Sequence, residues 1–248
     1  MILNEGILYS TPIPADSYLQ IFFAAIILVI LSSYLLGSVN TAIVVSKLLY
    51  KDDIRNHGSG NAGLTNMLRT YGKGAAALTL LGDMLKTVFA ILISGLLFGL
   101  HYQSGISLQD YGYVAALFAV LGHIFPIYYK FKGGKGVLAT ATAALILTPV
   151  PFLILITLFI VIVAMSKYVS LGSVSVAVLY PVLVNGYFSF AFGATPPGIL
   201  SLCTIILAIL IVWCHRENLK RISDKTERKI SFKKKDVEVK KEENEADE

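Results

Sequence analysis

Five long stretches of this sequence contain no Asp, Glu, Lys or Arg side chain: residues 17–46, 87–109, 111–129, 136–166 and 168–215. A helix needs about 20 predominantly apolar residues to cross the hydrocarbon core of a bilayer, and each stretch is long enough. Only 15% of all residues are charged, against roughly 25% in soluble domains. The sequence therefore predicts an all-α, polytopic membrane protein and excludes an ordinary soluble enzyme.

Two of these stretches contain a break at which the chain can fold back. The stretch 168–215 is interrupted by GATPPG at residues 193–198, which predicts two helices. The stretch 136–166 carries PVP at residues 149–151, where proline disrupts a continuous helix. It predicts a hairpin whose arms are either two short crossings or a shallow re-entrant pair. The prediction is thus about seven transmembrane helices.

The basic residues lie in alternate connections and predict the orientation of these helices. Lys and Arg occur between residues 47 and 86, between 130 and 135, at Lys167 and from Arg216 onward, and the other connections have none. Because cytoplasmic loops carry the excess of basic residues, we expect the N-terminus outside and the C-terminus in the cytoplasm. Residues 1–215 would form the integral membrane domain. Residues 216–248 would form a charged cytoplasmic tail that is partly disordered.

The connection after the first predicted membrane helix is rich in glycine and uncharged polar residues. Its glycines let successive backbone N–H groups point into one concavity, and hydroxyl and amide side chains add donors. A guanidinium one turn further suits the oxygens of a phosphate. The pattern predicts an anion-binding cradle, with a glycine-rich turn and a surface arginine as the alternative. The residues concerned are Gly58, Ser59, Gly60, Asn61, Gly63, Thr65, Asn66 and Arg69.

A second cradle is predicted where the third membrane helix ends. Gly133, Gly134 and Gly136 surround Lys135, and flexible glycine backbone lets its ammonium approach an anion closely. The sequence resembles half a P-loop but lacks Ser or Thr after the lysine, which argues against a nucleoside triphosphate site. His123, at the end of the preceding helix, has the protonation range of a base or a phosphate ligand. A packed structural histidine is the equal alternative.

Two smaller polar clusters lie at other predicted cytoplasmic ends. Ser170 and Ser173 follow the third cytoplasmic turn, and His215 and Asn218 lie where the last helix leaves the membrane. Neither cluster is specific alone. Because all four polar features are predicted on one side of the bilayer, they can converge on one interfacial site that binds phosphate with a lipid tail beneath it.

Together these residues resemble the integral-membrane acyl-phosphate:glycerol-3-phosphate acyltransferases of bacteria. The resemblance covers nearly the whole chain through Lys229. It implies transfer of a fatty acyl group from acyl phosphate to the sn-1 hydroxyl of glycerol 3-phosphate, the first step of phospholipid synthesis, giving lysophosphatidic acid and phosphate. The patterns that carry it are Gly37-Ser38, Asp53-Ile54-Arg55, Gly58-Ser59-Gly60-Asn61 with Thr65-Asn66 and Arg69, Gly122-His123 with Phe125-Pro126, FKGGKGV at 131–137, and His215-Arg216 with Asn218.

The implied chemistry calls for no cofactor and no metal, since acyl phosphate is already an activated mixed anhydride. The enzyme must bring two phosphate-bearing substrates together and neutralise the charge on the departing phosphate. We expect Arg69 and Lys135 to act as opposing cations, and His123 or a substrate phosphate to accept the proton. Ser170 or Ser173 would contact glycerol 3-phosphate. The expected catalytic residues are Ser59, Arg69, His123, Lys135, His215 and Asn218, and the other cradle residues would bind substrate phosphate.

The expected partners are acyl phosphate, glycerol 3-phosphate and membrane lipids, with no nucleic acid and no obligate protein partner. The expected location is the cytoplasmic membrane, with the active site on its cytoplasmic face. Asp83 and Lys86 stand three apart on the second helix, where charge is expensive, and favour a structural ion pair over direct catalysis. The alternative function is a membrane transporter of an organic phosphate. A membrane scaffold would leave both cradles unexplained.

Overall fold

The computed structural model describes residues 6–10, 14–99 and 109–230, and within them helices are joined by short turns without any strand. The predicted all-α fold is confirmed. The α-helices are α1 Ile7–Ser10, α2 Ala15–Ser38, α3 Thr41–Tyr50, α4 Leu64–Thr70, α5 Lys73–Phe98, α6 Gln109–Ile124, α7 Val137–Leu147, α8 Pro149–Ser166, α9 Val169–Phe192, α10 Gly198–Cys214 and α11 Arg216–Ser223, with 3₁₀ turns at Ile54–Asn56 and Ile127–Tyr129.

Five helical stretches in the described part of the chain are long and apolar enough to cross a membrane, or six if α10 and α11, bent by 52°, form one span. The break at Pro149 is present, because α7 ends at Leu147 and α8 begins at Pro149. Helix α7 has 11 residues, or about 16 Å at 1.5 Å per residue, roughly half of the hydrocarbon thickness. This length favours the re-entrant alternative for α7, and the total of seven crossings stays a prediction.

Helices α2 and α6 approach each other closely at two glycines. A Cβ added at Gly37 would collide with the backbone of Ala119, and one added at Gly122 would collide with the backbone of Tyr34 and Ser38. Small residues let helix backbones approach in membranes, where van der Waals packing replaces the hydrophobic effect as the driving force. The close contact fixes the polar end of α6, and with it His123, against the C-terminal end of α2.

The helical path is interrupted between α2, which ends at Ser38, and α3, which begins at Thr41, and Asn40 hydrogen-bonds to backbone groups at this break. The Asn40 side chain is fully buried. Its Oδ1 accepts a hydrogen bond from Ile43 N at 3.1 Å and so caps α3, while its Nδ2 donates to Ala62 O at 3.2 Å. Because a single amide caps the helix and holds the glycine-rich connection, the position of that connection is coupled to the end of α2.

A buried cluster of charged and polar groups joins α2, α5 and α6. Lys86 Nζ lies 2.7 Å from Asp83 Oδ1, 3.0 Å from Val39 O and 2.9 Å from His123 Nδ1. The three ammonium protons therefore have three acceptors, which matches the capacity of a lysine. The arrangement supports the prediction that Asp83 and Lys86 form a structural ion pair.

Candidate active site

A cavity of about 580 Å³ lies where the polar connections meet the ends of α7, α9 and α10. Every site residue predicted from the sequence lines this cavity except Gly60, Gly133 and Gly134. Gly60 and Gly133 instead line a separate surface depression beside Lys130 and Lys132. The predicted residues that line the main cavity are Gly58, Ser59, Asn61, Gly63, Thr65, Asn66, Arg69, His123, Lys135, Gly136, Ser170, Ser173, His215 and Asn218.

Asn66 organises the first glycine-rich connection from within. Its Nδ2 lies 2.9 Å from His57 O, 3.1 Å from Asn61 O and 3.2 Å from Ile54 O, and its Oδ1 accepts from Ser59 N at 3.1 Å. Because both amide protons already have acceptors in the connection, Asn66 shapes the cradle from inside. Ser59, whose backbone N–H Asn66 holds, lines the cavity.

Arg69 lies at the rim of the cavity, on α4. Its Nη2 donates to Arg228 O at 3.4 Å, so one edge of the guanidinium touches the segment after α11. Partial burial, together with the positive charge of Arg228, lowers the pKa of Arg69 below its ordinary value. A bound anion would favour the charged guanidinium and oppose both effects.

The second glycine-rich connection folds back onto the end of α6. Gly133 N donates to Ile124 O at 3.2 Å, and Gly134 N donates to His123 O at 3.0 Å. A Cβ at Gly134 would collide with the His123 imidazole and with Ala62 O. Gly134 is therefore needed for close packing behind the cavity wall, which explains why it does not line the cavity itself.

Lys135 extends from this connection to the last polar cluster, where its Nζ donates to Asn218 Oδ1. Burial, together with the positive charge of Arg221, lowers the pKa of Lys135 below its ordinary value. Among the described residues, Lys135 forms no ion pair within 4 Å. It is thus a half-buried cation whose hydrogen-bond partner is a neutral amide.

Glu227 holds the other side of Asn218. Asn218 Nδ2 donates to Glu227 Oε1 at 2.7 Å and to Ser170 Oγ at 3.0 Å, and Arg221 Nε donates to Glu227 Oε2 at 2.8 Å. Ser170 Oγ also donates to Glu227 Oε1. Burial alone would raise the pKa of Glu227, but the hydrogen bonds from Ser170, Asn218 and Arg221 hold it below its ordinary value. A carboxylate only accepts and an ammonium only donates, so Glu227 and Lys135 together fix the orientation of the Asn218 amide.

The segment after α11 is packed on the cavity, although its composition predicted a solvated tail. Thr226, Glu227 and Arg228 line the cavity, and Ile230 N donates to Lys167 O at 2.9 Å. None of these residues is among those predicted from the sequence, because the many charged residues around them indicate solvation. The division at residue 215 stays a prediction, and residues 231–248 lie outside the described part of the chain.

The two histidines of the cavity differ in the ring nitrogen that is engaged. His123 Nδ1 faces the Lys86 ammonium, which only donates, so Nδ1 is the acceptor and Nε2 carries the proton. His215 Nδ1 lies 2.7 Å from Ile211 O, which only accepts, so Nδ1 of His215 carries the proton. In the neutral rings, His123 has no free basic nitrogen, and His215 keeps one on Nε2.

Apolar side chains of four helices line the cavity below the polar rim. The helices are α7, α8, α9 and α10, and Phe152 and Tyr180 are the large aromatic residues of this wall together with Phe159. The cavity thus combines cations and donors at one end with an apolar interior at the other. The apolar wall residues are Val137, Leu138, Ala141, Ala144, Phe152, Leu155, Ile156, Phe159, Val176, Ala177 and Ile211, with Tyr180 beside them.

Comparison with known proteins identifies one family. Residues 27–225 match the family model described as Glycerol-3-phosphate acyltransferase. A glycerol-3-phosphate acyltransferase of Clostridioides difficile (strain 630) is 42% identical over 216 residues, which cover 87% of this chain and 100% of that protein. One of Alkaliphilus metalliredigens (strain QYMF) is 38% identical over 207 residues, covering 84% of this chain and 97% of the relative.

Two solved structures share the fold. The crystal structure of PlsY (YgiH), an integral membrane glycerol 3-phosphate acyltransferase, in its glycerol 3-phosphate form aligns with a TM-score of 0.71 at 30% identity. The alignment covers 83% of this chain and 96% of that chain. The lysophosphatidic acid form aligns with a TM-score of 0.69 at 30% identity, covering 83% and 95%.

Proposed function

Because the chain belongs to the family of integral membrane glycerol-3-phosphate acyltransferases, we propose that its donor is acyl phosphate and its acceptor the sn-1 hydroxyl of glycerol 3-phosphate. The products would be lysophosphatidic acid and inorganic phosphate. One observation carries the proposal: a single cavity joins a rim of cations and hydrogen-bond donors to an apolar interior. This polarity matches an acyl phosphate, in which one carbonyl group joins a charged phosphate head to an apolar tail.

Arg69 and Lys135 are the residues that we assign to the two substrate phosphates. Two dianionic substrates repel each other, and cations in a partly buried site offset that repulsion and the charge that develops on the leaving phosphate. Ser59, Asn61 and Thr65 supply uncharged polar groups on the same wall. Asn218 holds Lys135 in place, with Glu227 behind it.

The proton of the attacking hydroxyl goes to a substrate phosphate in this proposal, and not to His123. The lysine contact at Nδ1 leaves His123 Nε2 protonated, and a protonated imidazole nitrogen cannot accept a proton. His123 instead supports the backbone of Gly134 and the wall of the cavity. It is a positioning residue, and the observation carrying that assignment is its bond to Lys86.

The first test is turnover by the purified full chain in detergent. We expect phosphate release and lysophosphatidic acid formation only when palmitoyl phosphate and glycerol 3-phosphate are both present. Palmitoyl coenzyme A as the sole donor should give no comparable turnover, because no described domain outside the membrane helices is available to hold a large carrier. Comparable rates with coenzyme A would overturn the donor assignment. Transport of glycerol 3-phosphate into proteoliposomes without turnover would favour the transporter alternative.

We also propose that the cavity opens on the cytoplasmic face of the cytoplasmic membrane, since the basic connections lie at its rim. In a background with Cys203 and Cys214 replaced by alanine, Ser10→Cys should react with an impermeant thiol reagent on intact spheroplasts. Ser223→Cys should react only after lysis. Both side chains are exposed, so the reagent reaches either one from its own side. Labelling of Ser223→Cys before lysis would reverse the orientation.

A further inference from the structure

The hydroxyl of Thr140 is buried in the cavity wall without a partner. Thr140 is 6% exposed and lines the cavity, and its Oγ1 has no hydrogen-bond partner among the described residues. Buried side-chain hydroxyls are usually hydrogen-bonded, because an unmade bond costs free energy. An unpaired hydroxyl at the wall of a ligand cavity therefore indicates a partner that arrives with the ligand.

Two neighbouring hydroxyls of the same region are already engaged, whereas the Tyr180 hydroxyl on α9, like that of Thr140, is buried without a partner among the described residues. Thr142 Oγ1 donates to Leu138 O at 2.9 Å, and Ser173 Oγ donates to Val169 O at 3.0 Å. Both use the helix carbonyl four residues earlier, which is the usual solution for a buried hydroxyl in a helix. Thr140 does not, although Gly136 O lies in the same relation and accepts the Thr140 backbone N at 2.9 Å. The hydroxyl proton of Thr140 therefore remains available to a ligand in the cavity.

The position of Thr140 along α7 indicates which part of a bound acyl phosphate its hydroxyl would contact. Lys135 precedes α7, and Thr140 lies one turn inside the helix, about 4.5 Å along its axis from Val137 at 1.5 Å per residue. The wall residues of α7 that follow Thr140 are Ala141 and, one turn deeper, Ala144, and both are apolar. Thr140 thus lies between the level of the phosphate-binding cation and the level of the acyl chain. In an acyl phosphate, the carbonyl group is what joins these two parts.

We propose that Thr140 Oγ donates a hydrogen bond to the carbonyl oxygen of the acyl phosphate and to the negative charge that develops on it. The inference rests on the proposed function. As the glycerol oxygen forms its bond to the acyl carbon, the carbonyl electron pair moves onto oxygen. It returns when the bond from the acyl carbon to the phosphate oxygen breaks. The phosphate leaves with the electron pair of the broken bond between the acyl carbon and its oxygen and takes up the proton of the glycerol hydroxyl, and Thr140 keeps its own proton.

The test is the pair Thr140→Val and Thr140→Ser. Valine has nearly the same shape as threonine and lacks the donor, so kcat should fall on the order of 10²-fold, as when one oxyanion donor is removed elsewhere. KM for both substrates should change little, because the bond strengthens only as charge develops. Serine keeps the hydroxyl and should recover most of kcat.

Thr142→Val is the matched control. Thr142 is a buried threonine on the same helix, but it lies off the cavity and its donor is satisfied within the helix. It should retain the turnover of the unmodified protein. Unchanged kcat in Thr140→Val would overturn the inference, and so would a Thr140→Ser variant that is folded but as slow as Thr140→Val. Failure of the unmodified protein to turn over acyl phosphate would contradict the proposed function instead.

Discussion

Replacing Asp83 by leucine should destabilise the protein by about 3–5 kcal/mol, because it leaves the Lys86 ammonium buried without its counterion. Asp83 and Lys86 are both almost fully buried, and their charged atoms are 2.7 Å apart. In purified protein the midpoint of thermal unfolding should fall by roughly 10 °C or more. The measurement is the fraction that stays monodisperse in detergent after heating.

The control is the double variant Asp83→Leu with Lys86→Met, which removes both charges. A buried pair replaced by apolar residues of similar size is often neutral for stability, so the double variant should recover most of the lost thermal midpoint. An unchanged midpoint in the single variant would contradict the structural assignment. A double variant that is stable but inactive would show that one of the two residues acts in catalysis, since Asp83 also lines the cavity.

Much of the fold could be predicted from the uncharged stretches, because a bilayer accepts only helices whose backbone groups are satisfied internally. Both breaks, at residues 193–198 and at Pro149, lie where the sequence places them. The depth that α7 reaches could not be predicted. An apolar stretch specifies a hydrophobic environment, whereas the point at which the chain turns back depends on packing against α5 and α6.

Part of the candidate site could likewise be predicted from the sequence, and part of it could not. The glycine-rich connections and the polar ends of α9 and α10 meet at one cavity, as expected for segments that share one side of the membrane. Gly134 was expected to face an anion and instead allows close packing on His123. Glu227 could not be found from the sequence, because a charged segment indicates solvent exposure. Its position depends on hydrogen bonds with Ser170 of α9 and with Asn218 and Arg221 of α11, which a charge pattern does not specify.

Lys135→Ala should lower the rate on the order of 10²- to 10³-fold, which corresponds to about 2.7–4 kcal/mol of lost transition-state stabilisation. The reason is that Lys135 is a half-buried cation without an ion-pair partner among the described residues, at the rim where the phosphates would bind. Lys135→Arg should lower the rate as well, because the tight glycine backbone leaves little room for a guanidinium.

Arg69→Lys should lower the rate about 10²-fold, since an ammonium lacks the paired donors of a guanidinium. The measurement is the initial rate in folded, membrane-inserted variants.

The most direct measurement of the phosphate-binding role is therefore the initial rate of Lys135→Ala and Arg69→Ala against both substrates, beside Lys132→Ala. Lys132 belongs to the same connection as Lys135, but it is exposed and faces the separate surface depression. If the cavity cations hold the substrate phosphates, the first two variants lose at least about 10²-fold in turnover, and Lys132→Ala stays within about a factor of two. If Lys135→Ala and Arg69→Ala each keep more than half of the activity, the cations only set the membrane orientation, and the two-phosphate site is contradicted.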